Sequence, residues 1–245
     1  MDRKFTFYPG YDKKFNIGEL KRYADQKQEL DKFFETLITP YIENKSLKIF
    51  DVGCGNGHII KILNEISPKS SYLGIDQTDF VIDEAKKICQ NMSNVELKEM
   101  DMYELPSNFD KSFDISINWK IVSWIPYYDE LMKMLIKVTK SHIFLSGLFY
   151  DGQIDFETRT REFTKESGKS DYRAYYNIYS LPHFEKYVYG LGAKKIESFD
   201  FEIEIDLPRP PKDQLGTYTL KLENGKRFQI SQAVPMFWKV IRIDL

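Results

Sequence analysis

Cysteine is nearly missing from this chain. Cys54 and Cys89 are the only two in 245 residues, too few for a disulfide framework or a zinc quartet. Histidine is as scarce, and His58, His142 and His183 are too scattered to suggest a metal centre. Neither sign of charge dominates: 35 Lys and Arg face 37 Asp and Glu, a net charge of -2. That balance argues against a protein that works by coating nucleic acid, because such proteins carry a strongly basic face. No apolar run is long enough to span a bilayer, and Met1-Asp2-Arg3-Lys4 lacks the apolar core of a signal peptide. A cytoplasmic chain without membrane or nucleic-acid partners is therefore expected, with length for one α/β domain and a full core.

What is present is concentrated around residues 47–63. Leu47 to Val52 is an apolar, β-branched and aromatic run of strand length, and Ile59, Ile60, Ile62 and Leu63 resume at helical spacing. Between them stand Gly53, Gly55 and Gly57, with Asp51 just before and Cys54, Asn56 and His58 interleaved. A strand, a glycine turn and a helix open a doubly wound α/β sheet, in which ligands sit at the carboxyl ends of the strands. Glycines there let the backbone approach a ligand, and the helix start favours an anionic group. The dinucleotide fingerprint Gly-x-Gly-x-x-Gly fails here because His58 occupies its third glycine position. An acid before the turn suits a cationic amino group better than a pyrophosphate, which it would repel. Ser71 to Asp76 forms a second strand that ends in an acid, followed by Gln77. An acid about 20 residues past such glycines accepts from both ribose hydroxyls in nucleoside sites.

Asp51 followed by Gly53-Cys54-Gly55-Asn56-Gly57 resembles motif I of the class I S-adenosylmethionine (SAM) dependent methyltransferases. The resemblance covers residues 45–147 through motifs in order, and 181–245 by topology alone. It implies SAM as cofactor, a Rossmann-like seven-stranded and mostly parallel sheet, and an antiparallel strand pair at the C-terminal end. Asp51, Gly53, Cys54, Gly55, Gly57, Asp76 and Gln77 are then candidates for holding the cofactor. Asp101 and Met102, which close a short strand at Val95–Lys98, match the family's acid against the adenine amino group and the residue against its ring. Phe113 to Asn118 alternates as the fourth strand and is followed by aromatics, where the family's fourth motif lies beside the transferred methyl. Asn118 and Trp119 are expected against the cofactor and Trp124 against the substrate. Neither Asn-Pro-Pro-Tyr nor Asp-Pro-Pro-Tyr occurs there, and no cysteine is near, which further disfavours a nucleic-acid substrate.

A helical arm is expected over residues 1–46, with one helix from about Ile17 to Tyr41 stopped near Pro40. In the family such an arm often folds over the cofactor and its aromatics close the site, which makes Tyr8, Tyr11 and Tyr23 candidates for that role, Tyr23 at the cofactor and Tyr11 at the substrate.

After a helix at Leu131–Val138 and a fifth strand at Ile143–Leu148, residues 149–180 show no clean period but are dense in tyrosine. Such a segment is read as a substrate lid. Tyr150, Tyr176 and Tyr179 are its candidate substrate contacts, and Arg173 a candidate for a phosphate or carboxylate on the substrate. A helix at Leu181–Leu191, a long sixth strand over Ala193–Leu207 and a seventh over Trp238–Asp244 complete the sheet. Tyr218 to Ile230, with Asn224-Gly225 at its turn, adds a β-hairpin within 216–232.

The expected protein is a single domain, monomeric or homodimeric, moving a methyl group to an oxygen or nitrogen of a small metabolite: a sugar, a phosphorylated amine or a natural-product intermediate. An amine acceptor must only arrive deprotonated, whereas a hydroxyl needs a general base. His183 and Asp151 are the candidates by chain position. The alternative is a SAM-binding sensor or inactive partner subunit without turnover.

Overall fold

The computed structural model describes residues 26–161, 173–211 and 216–245. Helix α1 spans Glu29–Ile42 and buries Leu30, Phe34, Ile38 and Ile42, which recur every fourth residue along one stripe. Residues 17–25 of the expected helix lie outside the described residues; residues 26–28 are irregular, and Gln28 is an extended N-cap at φ -74, ψ 159, so α1 starts at Glu29. Pro40 also lies inside α1 instead of stopping it. Tyr8, Tyr11 and Tyr23 lie outside the described residues.

Alternating strands and helices follow: β1 (Lys48–Val52), α2 (His58–Ile66), β2 (Ser71–Asp76), α3 (Asp79–Ile88), β3 (Val95–Glu99), β4 (Phe113–Asn118), α4 (Asp129–Val138) and β5 (Thr139–Tyr150). Short strands β6 (Arg159–Arg161), β7 (Arg173–Tyr175) and β8 (Tyr179–Ser180) lead to α5 (Leu181–Gly190) and β9 (Lys195–Asp200). The chain closes with β10 (Thr217–Lys221), β11 (Arg227–Ser231), β12 (Val234–Pro235) and β13 (Trp238–Asp244).

The main sheet runs β3-β2-β1-β4-β5-β13-β9, with β8 beside the tail of β5. From β3 to β5 the neighbours are parallel, while β13 is antiparallel to both β5 and β9. This is the expected seven-strand order with its antiparallel closing pair. Strands buried on both faces explain the near-continuous apolar runs: β1, β4 and β13 have four to six buried residues each. Two apolar layers flank the sheet, one built on α1, α2 and α3, the other on α4 and α5. Strand order reverses between β1 and β4, so a crevice at their carboxyl ends is the place for a ligand.

Three boundaries differ from expectation for identifiable reasons. Strand β5 is twice the expected length because β4, β13 and β8 pair along different stretches of it. Strand β9 stops at Asp200, since its one partner, β13, has its last paired residue, Lys239, opposite that position. The Asn224-Gly225 turn takes positive φ only at Gly225 (84°), with Asn224 Oδ1 accepting from Lys226 N, and β12 extends the hairpin to three strands. No helix among the described residues is long and apolar enough to cross a membrane.

Candidate cofactor site at the glycine turn

The turn after β1 is held by backbone bonds: the N–H groups of Gly53 and Cys54 both donate to Ile75 O at 2.9 Å. Gly53 has φ +74, and a Cβ there would lie 2.7 Å from Ile121 Cγ1, so only glycine fits. Gly55 has φ +55, yet a Cβ there would meet no heavy atom within 4 Å. Its glycine therefore leaves the turn open on the side away from the core. Gly57 caps α2 in the left-handed conformation.

Two carboxylates flank this opening. Asp51 is buried, and neither of its oxygens has a hydrogen-bond partner among the described residues. Burial, and secondly the charge of Asp76, pushes its carboxyl up to about 8. Asp76 is only partly buried; its Oδ2 accepts from Gly55 N at 3.2 Å and its Oδ1 from Thr78 N at 3.0 Å. Burial raises its pKa, and the Thr78 and Gly55 backbone donors oppose that rise. On the neighbouring strand Asn118 is fully buried, donates from Nδ2 to Val52 O at 3.0 Å, and leaves Oδ1 without a partner among the described residues. Three buried acceptor oxygens thus end at the carboxyl rim with no donor among the described residues. Such a set is costly to bury alone and complementary to a cationic donor.

The remaining candidates divide. Gln77 is exposed beside Asp76, and Met102 and Asp101 are partly buried after β3, where Asp101 Oδ1 accepts from Tyr103 N at 2.9 Å. Cys54 turns its thiol into the core against Gly74, so only its backbone borders the turn. Trp119, expected against the cofactor, stacks on Phe34 with centroids 4.3 Å apart and donates from Nε1 to Asp31 Oδ1 at 2.8 Å.

Around the segment after β5, Trp124 meets Tyr176 edge-on at 4.1 Å and Trp238 at 6.4 Å, and Trp124 and Tyr176 stay partly exposed. Tyr150 faces a different way, its hydroxyl looped back onto Ile154 N and O, with its ring beside Phe156. Tyr179 is fully buried among Tyr127, Tyr128 and Phe149, so it is a core residue and not a lining one. The side chain of Arg173 lies outside the described residues; its backbone pairs with Arg161. The two candidate bases both face solvent. Asp151 is 78% exposed and 3.3 Å from Lys239 Nζ, and His183 is exposed on the first turn of α5.

One group escaped the sequence reading. Asp31, in the first turn of α1, is fully buried and gathers Trp119, Lys120, His58 and the Gln28 backbone N–H around one carboxylate. An acid at that position looks like an ordinary helix-start residue in sequence, because its partners come from two other segments.

A family model described as a methyltransferase domain matches residues 43–169. Malonyl-(acyl-carrier protein) O-methyltransferase of Bacillus anthracis is 27% identical over 149 residues, covering 60% of this chain and 53% of that protein. The matched stretch thus spans about half the length of that relative. Demethylmenaquinone methyltransferase of Staphylococcus carnosus is 24% identical over 207 residues, covering 84% of this chain and 76% of that protein. Among solved structures, YcgJ of Bacillus subtilis superposes with a TM-score of 0.57 at 14% identity, covering 86% of this chain and 97% of that one. Magnesium protoporphyrin IX methyltransferase of Synechocystis, solved with bound SAM, superposes with a TM-score of 0.55 at 13% identity, covering 99% and 89%. Those two likenesses concern the fold. With the family match extending over half its length, the chain belongs to the methyltransferase domain family, as a class I SAM-dependent methyltransferase.

Proposed function

We propose that the crevice at the glycine turn binds SAM and that the chain moves a methyl group from it to an oxygen or nitrogen of a small metabolite. The observation that carries this is that Asp51 Oδ1, Asp51 Oδ2 and Asn118 Oδ1 are buried without a donor among the described residues. These acceptors suit the ammonium of the cofactor's amino acid end. Asp76, beside the open flank of Gly55, suits the ribose hydroxyls, and Asp101 with Met102 suits the adenine. Bound SAM supplies an activated methyl group on a sulfonium. The protein's own share is to orient the acceptor in line with that methyl and to exclude water.

The half-exposed edges of Trp124 and Tyr176 support an acceptor with a flat or apolar portion. The names of the relatives, an acyl-carrier-protein O-methyltransferase and a demethylmenaquinone methyltransferase, do not point to a common acceptor. An amine acceptor fits the surroundings of Asp151 and His183 more simply than a hydroxyl, because it requires no base.

Incubation with SAM and panels of amines, alcohols and sugar derivatives, read out as S-adenosylhomocysteine formed, tests the reading. Turnover with one class of acceptor is the expected result. SAM binding with no turnover on any panel would replace it with a sensor or partner subunit.

A further inference from the structure

Asp31 lies at the meeting point of three segments that the cofactor site needs in register. Its Oδ1 accepts from Trp119 Nε1 at 2.8 Å and from Lys120 Nζ at 2.9 Å. Its Oδ2 accepts from Gln28 N at 3.1 Å and lies 3.5 Å from His58 Nε2. Lys120 also donates to Gln28 Oε1 at 2.7 Å, so its ammonium clamps the start of α1 twice. His58 Nδ1 faces Asn56 Oδ1 at 3.0 Å, and that amide oxygen is identified because it also accepts from His58 N at 3.3 Å. Both ring nitrogens of His58 therefore point at acceptors. Burial works against the charged form of Asp31, yet His58 and Lys120 hold its carboxyl well below the usual range.

Stability alone does not account for this arrangement. A buried ion pair is often matched or bettered by apolar residues of similar volume, whereas removing one partner leaves a stranded charge. Lys120 moreover sits at φ +59, a conformation uncommon outside glycine, with its N–H taken by Ser146 Oγ at 2.9 Å. The residues so gathered are informative by position. His58 directly follows the last glycine of the turn, and Trp119 and Lys120 directly follow Asn118.

We propose that Asp31 is a positioning residue of the cofactor pocket: its carboxylate fixes the spacing between the glycine turn and the exit of β4, and so the convergence of the Asp51 and Asn118 oxygens on one ligand. This rests on reading that crevice as the SAM site. The cofactor pocket is then complete only when the first turn of α1 is docked.

The test is calorimetric titration of S-adenosylhomocysteine into the full chain and into Asp31→Asn, Lys120→Met, their double variant and Tyr41→Phe, with the ligand-free melting temperature of each. Tyr41, at the far end of α1, contacts Arg242 and serves as a destabilised reference away from the site. Each of the first two is expected to weaken binding at least about tenfold, and the double variant no more than either alone, because the pair acts as one unit. Tyr41→Phe should lower the melting temperature and leave affinity within about twofold. Should Asp31→Asn fail to fold, Trp119→Phe removes a single donor and is expected to weaken binding about threefold or more. The proposal is overturned if folded Asp31→Asn binds like the parent, if the losses of the two single variants add, or if affinity merely tracks melting temperature across the set. A parent chain that binds no S-adenosylhomocysteine overturns the SAM reading as well, whereas a binding parent with an unaffected Asp31→Asn overturns this proposal alone.

Discussion

The backbone N–H of Gly55 donates to Asp76 Oδ2 at 3.2 Å, so the glycine turn and the end of β2 are tied at the rim of the crevice. Asp76→Ala removes that tie together with the proposed ribose acceptor. SAM affinity is expected to fall by about 1.5–3 kcal/mol, the range for hydrogen bonds to a charged group. Titration of SAM into the variant checks it; unchanged affinity would remove Asp76 from the site.

Asp51 predicts a pH dependence of stability. Folded, its carboxyl is raised from 3.8 to about 8, by burial and then by Asp76. The folded chain therefore holds a proton that the unfolded chain releases at lower pH. Its contribution to stability is fully present below about pH 4 and is lost as pH rises through about 8, by up to about 1.4 kcal/mol per unit. Denaturation of the ligand-free protein across pH 4–9 should show this slope, and Asp51→Asn should flatten it. The same variant is expected to be more stable than the parent at pH 9.

Two glycines should respond differently to alanine. At Gly53 the new Cβ would lie 2.7 Å from Ile121 Cγ1 at φ +74, and a loss of about 1–3 kcal/mol of stability is expected. At Gly55 the φ is +55 but the space is open, so only the backbone term of about 1–2 kcal/mol applies. Gly55→Ala should nevertheless lose SAM affinity, since its methyl projects into the open flank. Thermal melts with and without SAM separate the two.

Much of the fold was legible in the sequence, and the reason is period and punctuation. The runs at Lys48–Val52, Ser71–Asp76 and Phe113–Asn118 are buried strands, and each ends where an acid, a glycine or an amide interrupts the apolar pattern. The rim residues Asp51, Asp76 and Asn118 were legible for the same reason, as polar residues at strand ends. Contacts between distant segments were not. Trp119 looked like a pocket residue because its position after β4 is visible and its partners, Phe34 and Asp31, are not. Strand β9 is shorter than its sequence pattern because alternation continues past Asp200 while the register with β13 ends there.

Tyrosine density concealed a division of labour in the segment after β5. Tyr179 is core: Asn177 Nδ2 donates to its hydroxyl at 2.9 Å, and Asn177 also reaches Ile125 O at 3.0 Å. Tyr179→Phe is therefore expected to cost about 0.5–1.5 kcal/mol of stability and leave acceptor KM unchanged. Tyr176→Ala and Trp124→Ala, at the half-exposed aromatic edge, should raise acceptor KM while sparing SAM affinity. Steady-state kinetics with the acceptor found by screening, beside thermal melts, distinguishes these outcomes.

In the proposed site the buried oxygens at the glycine turn receive the cationic end of the cofactor. This is tested most directly by titrating S-adenosylhomocysteine and methylthioadenosine, which lacks the amino acid portion, into the parent and Asp51→Asn. The substitution is expected to weaken S-adenosylhomocysteine at least about tenfold and to leave methylthioadenosine within about twofold. Equal losses for the two ligands, or no binding of S-adenosylhomocysteine by the parent, would contradict it.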